Sequence, residues 1–353
     1  MKKVLLLSVA QGEGSGAERT LEYMLAAAPG PWRERVVVAS PEGSALQRES
    51  VKLGYGWRPW PARRDSLLQN FRACRALRDS GVDASVIHGW GARSLEWVRS
   101  LAEASNAVSY GTLHDSPRAS FHGRIRRIFI RRAASQLTRF IGVSKAVIDE
   151  CRELGFADRG LVIYNGLPEI AVAPPVNEGW PLRVGFLGLK LRVKGLEFVA
   201  KCASHVRDFP VEWHLYGEPS SETNALLKKF AADEGSRCTC HGFQSPTAIF
   251  SSIDVLVHPS LEFEALPTAV VEAARSGLPV IATRVGGTAE IVEEGTSGYL
   301  VEPGEPEKAA ARLRELFENA ARRCDFGKRA LEIFRSRFSA ARMVEAYARL
   351  WEA

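Results

Sequence analysis

Two carboxylates eight positions apart carry the most chemical information in this chain. They lie in the segment His258-Pro-Ser-Leu-Glu262-Phe-Glu264-Ala-Leu-Pro267-Thr268-Ala-Val-Val-Glu272. A buried-strand pattern, Asp254-Val-Leu-Val-His258, ends just before it, a loop carries Glu264, and the pattern predicts a helix starting at Pro267. Proline suits the first helical position, where its missing N–H breaks no bond. The unpaired N–H groups and positive dipole end of that helix would attract a phosphate. Glu272, about a turn and a half into the helix, can accept two hydrogen bonds from a ribose diol. Glu264 would lie nearer whatever is attached beyond the phosphates. Two glutamates alone are common on any solvated helix flank; the strand, loop and proline-led helix around them set this pair apart.

Other residues have weaker claims. Gly12-Glu-Gly14-Ser-Gly16-Ala-Glu18 follows the first apolar run, and such a glycine loop lets a substrate approach the backbone at a helix start. His114, in Thr112-Leu-His114-Asp115, and His88, in Val-Ile-His88-Gly-Trp, each follow or end a strand pattern, although a lone histidine is more often structural. Cys238 and Cys240 precede His241, but a zinc site needs about four ligands and no partner pair is spaced for one, so ordinary thiols near a strand are expected. Trp57 and Trp60 fit either a substrate-side loop or aromatic core packing.

The elements that must position these residues alternate along the chain. Strands are predicted at 3–9, 35–39, 84–88, 107–113, 138–143 and 161–164, then at 182–187, 211–216, 255–258 and 279–283. Segments of helical periodicity lie between them, such as Leu21, Met24, Leu25 and Ala28. That alternation predicts parallel sheets covered by helices. The stretch 168–182 breaks it with four prolines and is the linker candidate. The expectation is an α/β protein of two Rossmann-like, doubly wound domains, 1–172 and 173–337, facing across a cleft at the carboxyl ends of their strands. The chain is read as helical from about Pro306 onward, and helix 338–353 is expected to pack back on the first domain.

Composition closes off other classes. The 353 residues are 46% hydrophobic and 25% charged, the usage of an ordinary globular protein. No apolar run approaches the ~20 residues that span a bilayer. The start, MKKVLLLSVA, reads as a buried first strand rather than a signal peptide, because no clear cleavage site follows. Six cysteines are too few for a disulfide scaffold, so a cytoplasmic location is expected. The net charge of +6 is uneven: residues 1–172 hold 25 Lys and Arg against 17 Asp and Glu. Its focus is 118–139, where Arg124, Arg126, Arg127, Arg131 and Arg132 surround Ile125, Ile128 and Phe129. A basic amphipathic helix is the pattern of a peripheral contact with the inner face of an anionic membrane, and equally of an outer helix packed on a sheet. Nucleic acid is not an expected partner, since aromatic stacking motifs such as RNP sequences are absent.

Taken with Gly277-Leu-Pro-Val-Ile-Ala-Thr283-Arg-Val-Gly286-Gly287-Thr-Ala-Glu290, residues 253–304 resemble the nucleotide-binding half of retaining GT-B glycosyltransferases of the family 4 (group 1) type. That family's signature is a Glu, seven residues and a second Glu, the spacing of Glu264 and Glu272. The resemblance implies that Glu272 binds the ribose, that Glu264 contacts the donor sugar, and that the amides near Leu266, Pro267 and Thr268 hold its diphosphate. The family's basic pair after the first strand of this half, G-R-x-x-x-x-K-G, corresponds to Gly188-Leu189-Lys190-Leu191-Arg192-Val193-Lys194-Gly195. Lys194 matches the lysine; Leu189 stands where the family has arginine, with Lys190 or Arg192 as possible substitutes. Gly14 and Gly16 match the family's glycine loop, and His114 the histidine that contacts donor sugar near the reaction centre.

The implied activity is retaining transfer of a hexosyl group from a UDP- or GDP-sugar to a glycan or lipid-linked acceptor, in the manufacture of surface polysaccharide or glycoconjugate. The chain contains no DxD pair, so cations and a helix N-terminus are expected to stabilise the departing diphosphate without a metal or other cofactor. Three alternatives remain: a degenerate GT-B scaffold, suggested by Leu189; a nucleotide-sugar epimerase of similar fold; and a nicotinamide oxidoreductase using the glycine loop and Glu42, which leaves Glu264 and Glu272 without a role.

Overall fold

The computed structural model describes residues 2–9, 16–61, 67–120, 124–156, 160–170 and 181–353. Gly14, most of the proline-rich linker and part of the 118–139 segment lie outside these residues. In chain order the elements are β1 (Val4–Leu7), α1 (Gly16–Ala27), β2 (Val36–Ser40), α2 (Ala45–Lys52), β3 (Gly56–Pro59), α3 (Leu67–Asp79), β4 (Val86–Trp90), α4 (Ala92–Ser105), β5 (Val108–Leu113), α5 (Pro117–Ser120), α6 (Arg124–Ser135), β6 (Arg139–Gly142), α7 (Lys145–Glu153) and β7 (Gly160–Val162). There follow β8 (Leu182–Leu187), α8 (Leu196–Ser204), β9 (Val211–Tyr216), α9 (Ser221–Glu234), β10 (Cys238–Cys240), α10 (Pro246–Ser251), β11 (Val255–His258), α11 (Thr268–Arg275), β12 (Val280–Thr283), β13 (Gly298–Val301), α12 (Pro306–Glu318), α13 (Ala320–Ile333) and α14 (Ala340–Glu352).

They form two units, Met1–Pro168 with Arg337–Ala353, and Glu169–Ser336. Each contains one all-parallel sheet. The first has seven strands in the order β3-β2-β1-β4-β5-β6-β7, and the second six in the order β10-β9-β8-β11-β12-β13. Both orders reverse once, between β1 and β4 and between β8 and β11, where a doubly wound sheet opens a crevice at its carboxyl edge. The α/β expectation of two doubly wound sheets therefore holds.

In the first unit one face of the sheet packs on α1, α2 and α14. Val4, Leu6, Val36, Val38 and Val86 meet Leu21, Met24, Leu25 and Leu46, and α14 adds Met343, Val344, Tyr347, Leu350 and Trp351. Those five positions share one stripe of α14, and Ser339 caps it through a bond from Arg342 N. Hydrogen bonds Leu167 N to Phe338 O (2.9 Å) and Ala340 N to Leu167 O (2.8 Å) anchor its start. On the opposite face α4 sits close because two neighbouring strands carry glycine. A Cβ at Gly89 would lie 2.5 Å from Val98, and one at Gly111 would lie 2.2 Å from Leu95.

Three strands escape the sequence pattern: β3, β10 and β13. All three are short edge strands, and β3, Gly-Trp-Arg-Pro, is mostly exposed. Pairing with an existing neighbour creates such strands, not their own propensity. Trp57, in β3, and Trp60, just after it, take up structural posts. Trp60 is buried with its Nε1 bonded to Asn70 (2.9 Å), and Trp57 Nε1 bonds Ser40 Oγ (3.1 Å).

Candidate active site

In the second unit three adjacent strands, β8, β11 and β12, each send a loop from their carboxyl end, and the loops lock together. Leu261 N bonds Val193 O (2.8 Å), joining the first loop to the second. Gly195 has φ +89°, and a Cβ there would stand 2.1 Å from Pro259 O. Gly287 N donates to Glu264 O (2.8 Å), and Gly286, at φ +50°, packs so closely that a Cβ would lie 2.0 Å from the same oxygen. Thr283 Oγ1 bonds Ser260 O (2.5 Å). Any side chain at position 286 or 195 would therefore move the loop that carries Glu264.

These contacts place Lys194 Nζ against Glu264 Oε1, at the point where the strand order reverses. Ser260 Oγ donates to the same oxygen (2.5 Å). His258 Nε2, buried at the end of β11, stands 3.6 Å from it, too long for a hydrogen bond, so its influence is electrostatic. Burial alone would raise the Glu264 pKa, but His258 and Lys194 together outweigh it and hold the carboxyl down at about 2. Glu264 is thus an ionised carboxylate at any physiological pH. Pro267 caps α11, whose first N–H groups, at Thr268 and Ala269, have no acceptor within the helix. Leu266 and Pro267 are buried, Thr268 is exposed, and Glu272 is half-buried and already partnered.

Of the cations after β8, only Lys194 reaches this carboxylate. Leu189 is 1% exposed and belongs to the hydrophobic core, with no cationic role. Arg192 turns away to Glu197 (2.6 Å), and Lys190 projects into solvent.

The first unit gathers a second set of residues at its own reversal point. His114, just beyond β5, is buried, and among the described residues neither ring nitrogen makes a hydrogen bond of good geometry. Burial pushes its pKa down to about 3, opposed by the nearby Asn165, so the ring is neutral and offers one donor and one acceptor. Trp90 lies against it, ring centroids 4.6 Å apart, and its Nε1 donates to Ala17 O (2.8 Å) in the first turn of α1, one residue past Gly16. Trp90 therefore ties the end of the glycine loop to the histidine. His88 plays a structural part. Trp351 Nε1 donates to His88 Nδ1 (3.0 Å), which leaves the proton on Nε2 to bond Thr112 Oγ1 (2.8 Å), and Thr112 shares a further bond with Tyr347 (3.0 Å). Burial, then the neighbouring His114, lowers the His88 pKa to about 3.

Cys238 and Cys240 are free thiols on β10, and His241 stacks on His214 and Tyr216. Among the described residues, no cluster of three or more His, Cys, Asp or Glu could hold a metal ion.

Two family models match this chain. The Glycosyltransferase Family 4 model covers residues 14–169, and the Glycosyl transferases group 1 model covers 181–319. The chain belongs to the family 4 glycosyltransferases. A sucrose synthase of Acidithiobacillus caldus is 46% identical over 128 residues, 36% of this chain but only 14% of that protein. A D-inositol 3-phosphate glycosyltransferase of Paenarthrobacter aurescens is 26% identical over 306 residues, 76% of this chain and 69% of its own length. Among solved structures, that of Anabaena HepE in complex with UDP superposes with a TM-score of 0.83 at 20% identity, covering 99% of each chain. This GT-B glycosyltransferase thus shares its whole two-unit fold with HepE.

Sequence patterns did not single out three residues that shape the site. His258 was visible only as the last residue of a strand, Ser260 as a loop serine, and Trp90 as an apolar strand end. A polar residue within six positions of Glu264, at the end of the strand that delivers it or in the loop that follows, is the one signal that marks His258 and Ser260 in advance.

Proposed function

We propose that this enzyme transfers a hexosyl group from a UDP- or GDP-sugar to a glycan or lipid-linked acceptor, with retention and without a metal. The observation that carries the donor half is the convergence of Lys194, Glu264 and the α11 N-terminus on one sheet edge. In this reading Lys194 and the Thr268 and Ala269 amides hold the diphosphate, Glu272 the ribose, and Glu264 the sugar hydroxyls. The bond from the anomeric carbon to the diphosphate oxygen breaks, the acceptor oxygen bonds that carbon on the same face, and the acceptor proton passes to the departing diphosphate. The charge left on the diphosphate falls on fixed cations and dipoles. His114, neutral and without a well-formed hydrogen bond among the described residues, would hydrogen-bond the sugar at the reaction centre. Structures of HepE with UDP and with UDP-glucose support a nucleotide-sugar donor. The absence of DxD supports metal independence. Residues 118–139 are proposed as a peripheral contact with anionic membrane on the cytoplasmic side; among the described residues no helix is long and apolar enough to cross a membrane. Surface polysaccharide or glycoconjugate synthesis is the setting this implies.

A thermal-shift panel of UDP, GDP, ADP, dTDP, CMP and NAD(P), with and without EDTA, tests the reading. Saturation at 100 times Kd stabilises by about 2.7 kcal/mol. A shift with UDP or GDP that EDTA leaves intact supports it. Silence from every diphosphate favours the degenerate scaffold, whose one structural support is Leu189 buried where the family has arginine.

A further inference from the structure

In the first unit α4 lies between α3 and α6, on the face of the sheet opposite α14. The outward stripes of the two flanking helices follow the same pattern. On α3, Leu68 (60% exposed), Phe71 (59%), Arg72 and Arg75 stand at i, i+3, i+4 and i+7. On α6, Ile128 (65% exposed), Arg131, Arg132 and Ser135 stand at the same intervals. Each stripe thus begins with an apolar side chain open to water and continues into two arginines. Phe71 and Ile128 are among the most exposed large apolar residues of the described chain. Acidic relief is sparse: on α3 only Asp79 answers, near Arg75 (3.5 Å) and Arg78 (3.3 Å), on α4 Arg99 pairs with Glu103 while Arg93 and Glu96 are also partnered, and Arg131 of α6 meets only the Gly155 carbonyl (3.4 Å) among the described residues. The α6 sequence, Arg-Ile-Arg-Arg-Ile-Phe-Ile-Arg-Arg-Ala-Ala-Ser, has no acid.

We propose that the outer faces of α3 and α6 form one docking surface for an anionic lipid bilayer, with Leu68, Phe71 and Ile128 entering the headgroup layer and the arginines pairing with its phosphates. The inference rests on the peripheral reading of 118–139 and adds α3 as a second, separate foothold. Two footholds on either side of α4 match a flat, extended partner, and the excess of positive charge matches an anionic one. Apolar side chains next to arginine stems are placed to sink while the guanidinium heads stay at the phosphates.

The test is cosedimentation of the full chain with phosphatidylcholine vesicles, with and without phosphatidylglycerol, at low and high salt. The wild-type protein is expected to bind only the anionic vesicles, and to weaken as salt rises. Leu68→Ser/Phe71→Ser should lower the partition coefficient by roughly tenfold or more. Arg72→Gln/Arg75→Gln should lower it by roughly fivefold per cation. Thermal melts check that these surface variants stay folded. If the wild-type protein binds and Arg131→Gln/Arg132→Gln weakens it, while both α3 variants bind as the wild type does, the α3 foothold is wrong and the peripheral reading stands. If the wild-type protein ignores anionic vesicles, both fall. If Leu68→Ser/Phe71→Ser instead abolishes a self-association seen by sedimentation velocity, with lipid binding unchanged, the face seats a second copy and the proposal is overturned.

Discussion

The Lys194–Glu264 pair sets a quantitative prediction. Glu264 is 18% and Lys194 26% exposed, so solvent screens their attraction only in part. Glu264 is held at about 2, against an ordinary 4.5. A depression of that size corresponds to about 3 kcal/mol of net favourable interaction with the ionised carboxylate. His258 and Lys194 share it, so Lys194 accounts for about 1–2 kcal/mol. Lys194→Met strands a partly buried carboxylate and should destabilise the second unit by about 2 kcal/mol. Glu264→Gln, which removes that charge, should cost up to about 3 kcal/mol, and the double variant should fall short of the sum by at least about 1 kcal/mol. For a unit of this size each kcal/mol moves the midpoint by about 2–4 °C, so calorimetry on the four proteins resolves the cycle. The pH dependence has a definite sign. A depressed carboxylate pKa contributes stability that is fully present above about 4.5 and is lost as pH falls toward 2, so the coupling must vanish in acid. Single variants that add within about 0.3 kcal/mol at neutral pH would refute the argument. UDP binding in the same variants then separates roles, since a diphosphate has to take Lys194 from Glu264 and Lys194→Met should weaken it tenfold or more.

Other outcomes follow from the same geometry. Gly286→Ala should destabilise by about 2 kcal/mol or more and abolish UDP binding, because its Cβ meets Glu264 O at 2.0 Å; a normal melt with normal UDP titration contradicts the loop clamp. Restoring the family arginine by Leu189→Arg should fail, burying a charge in the core at a cost of about 3 kcal/mol or more with no gain in UDP affinity, whereas Lys190→Ala should leave the melt unchanged. His88 and His114 both have lowered pKa values, so the unfolded chain binds their protons first. Stability from this source is fully present above about 6.5 and declines toward 3, by about 1.4 kcal/mol per pH unit for each ring, and an acid limb as steep in His114→Ala as in wild type argues against it. His114→Ala and Trp90→Leu should both lower turnover of the donor more than UDP affinity, measured by product release and by titration. An unchanged kcat in His114→Ala removes that residue from the reaction.

Much of this molecule was legible in its sequence because its signals are local. Strand and helix periods showed two doubly wound sheets, and the Glu-x7-Glu spacing with a proline-led helix pointed to one loop. What the sequence left open depends on which direction a side chain takes once the loop is closed. Lys190, Arg192 and Lys194 are equivalent cations on paper. The αL turn at Gly195 and the bond from Leu261 to Val193 turn Lys194 inward, while Glu197 draws Arg192 away. Leu189 could have been a surface residue lacking a charge, and burial in the core makes it a structural one. The edge strands β3 and β10 exist only because a neighbour offers hydrogen bonds, so no pattern of their own announces them. His258, Trp90 and the clasp of Trp351 on His88 join residues as many as 263 positions apart. Local sequence fixes propensity and period, but contacts at that separation are decided by packing, and packing alone set the protonation and orientation of the groups proposed to do the chemistry.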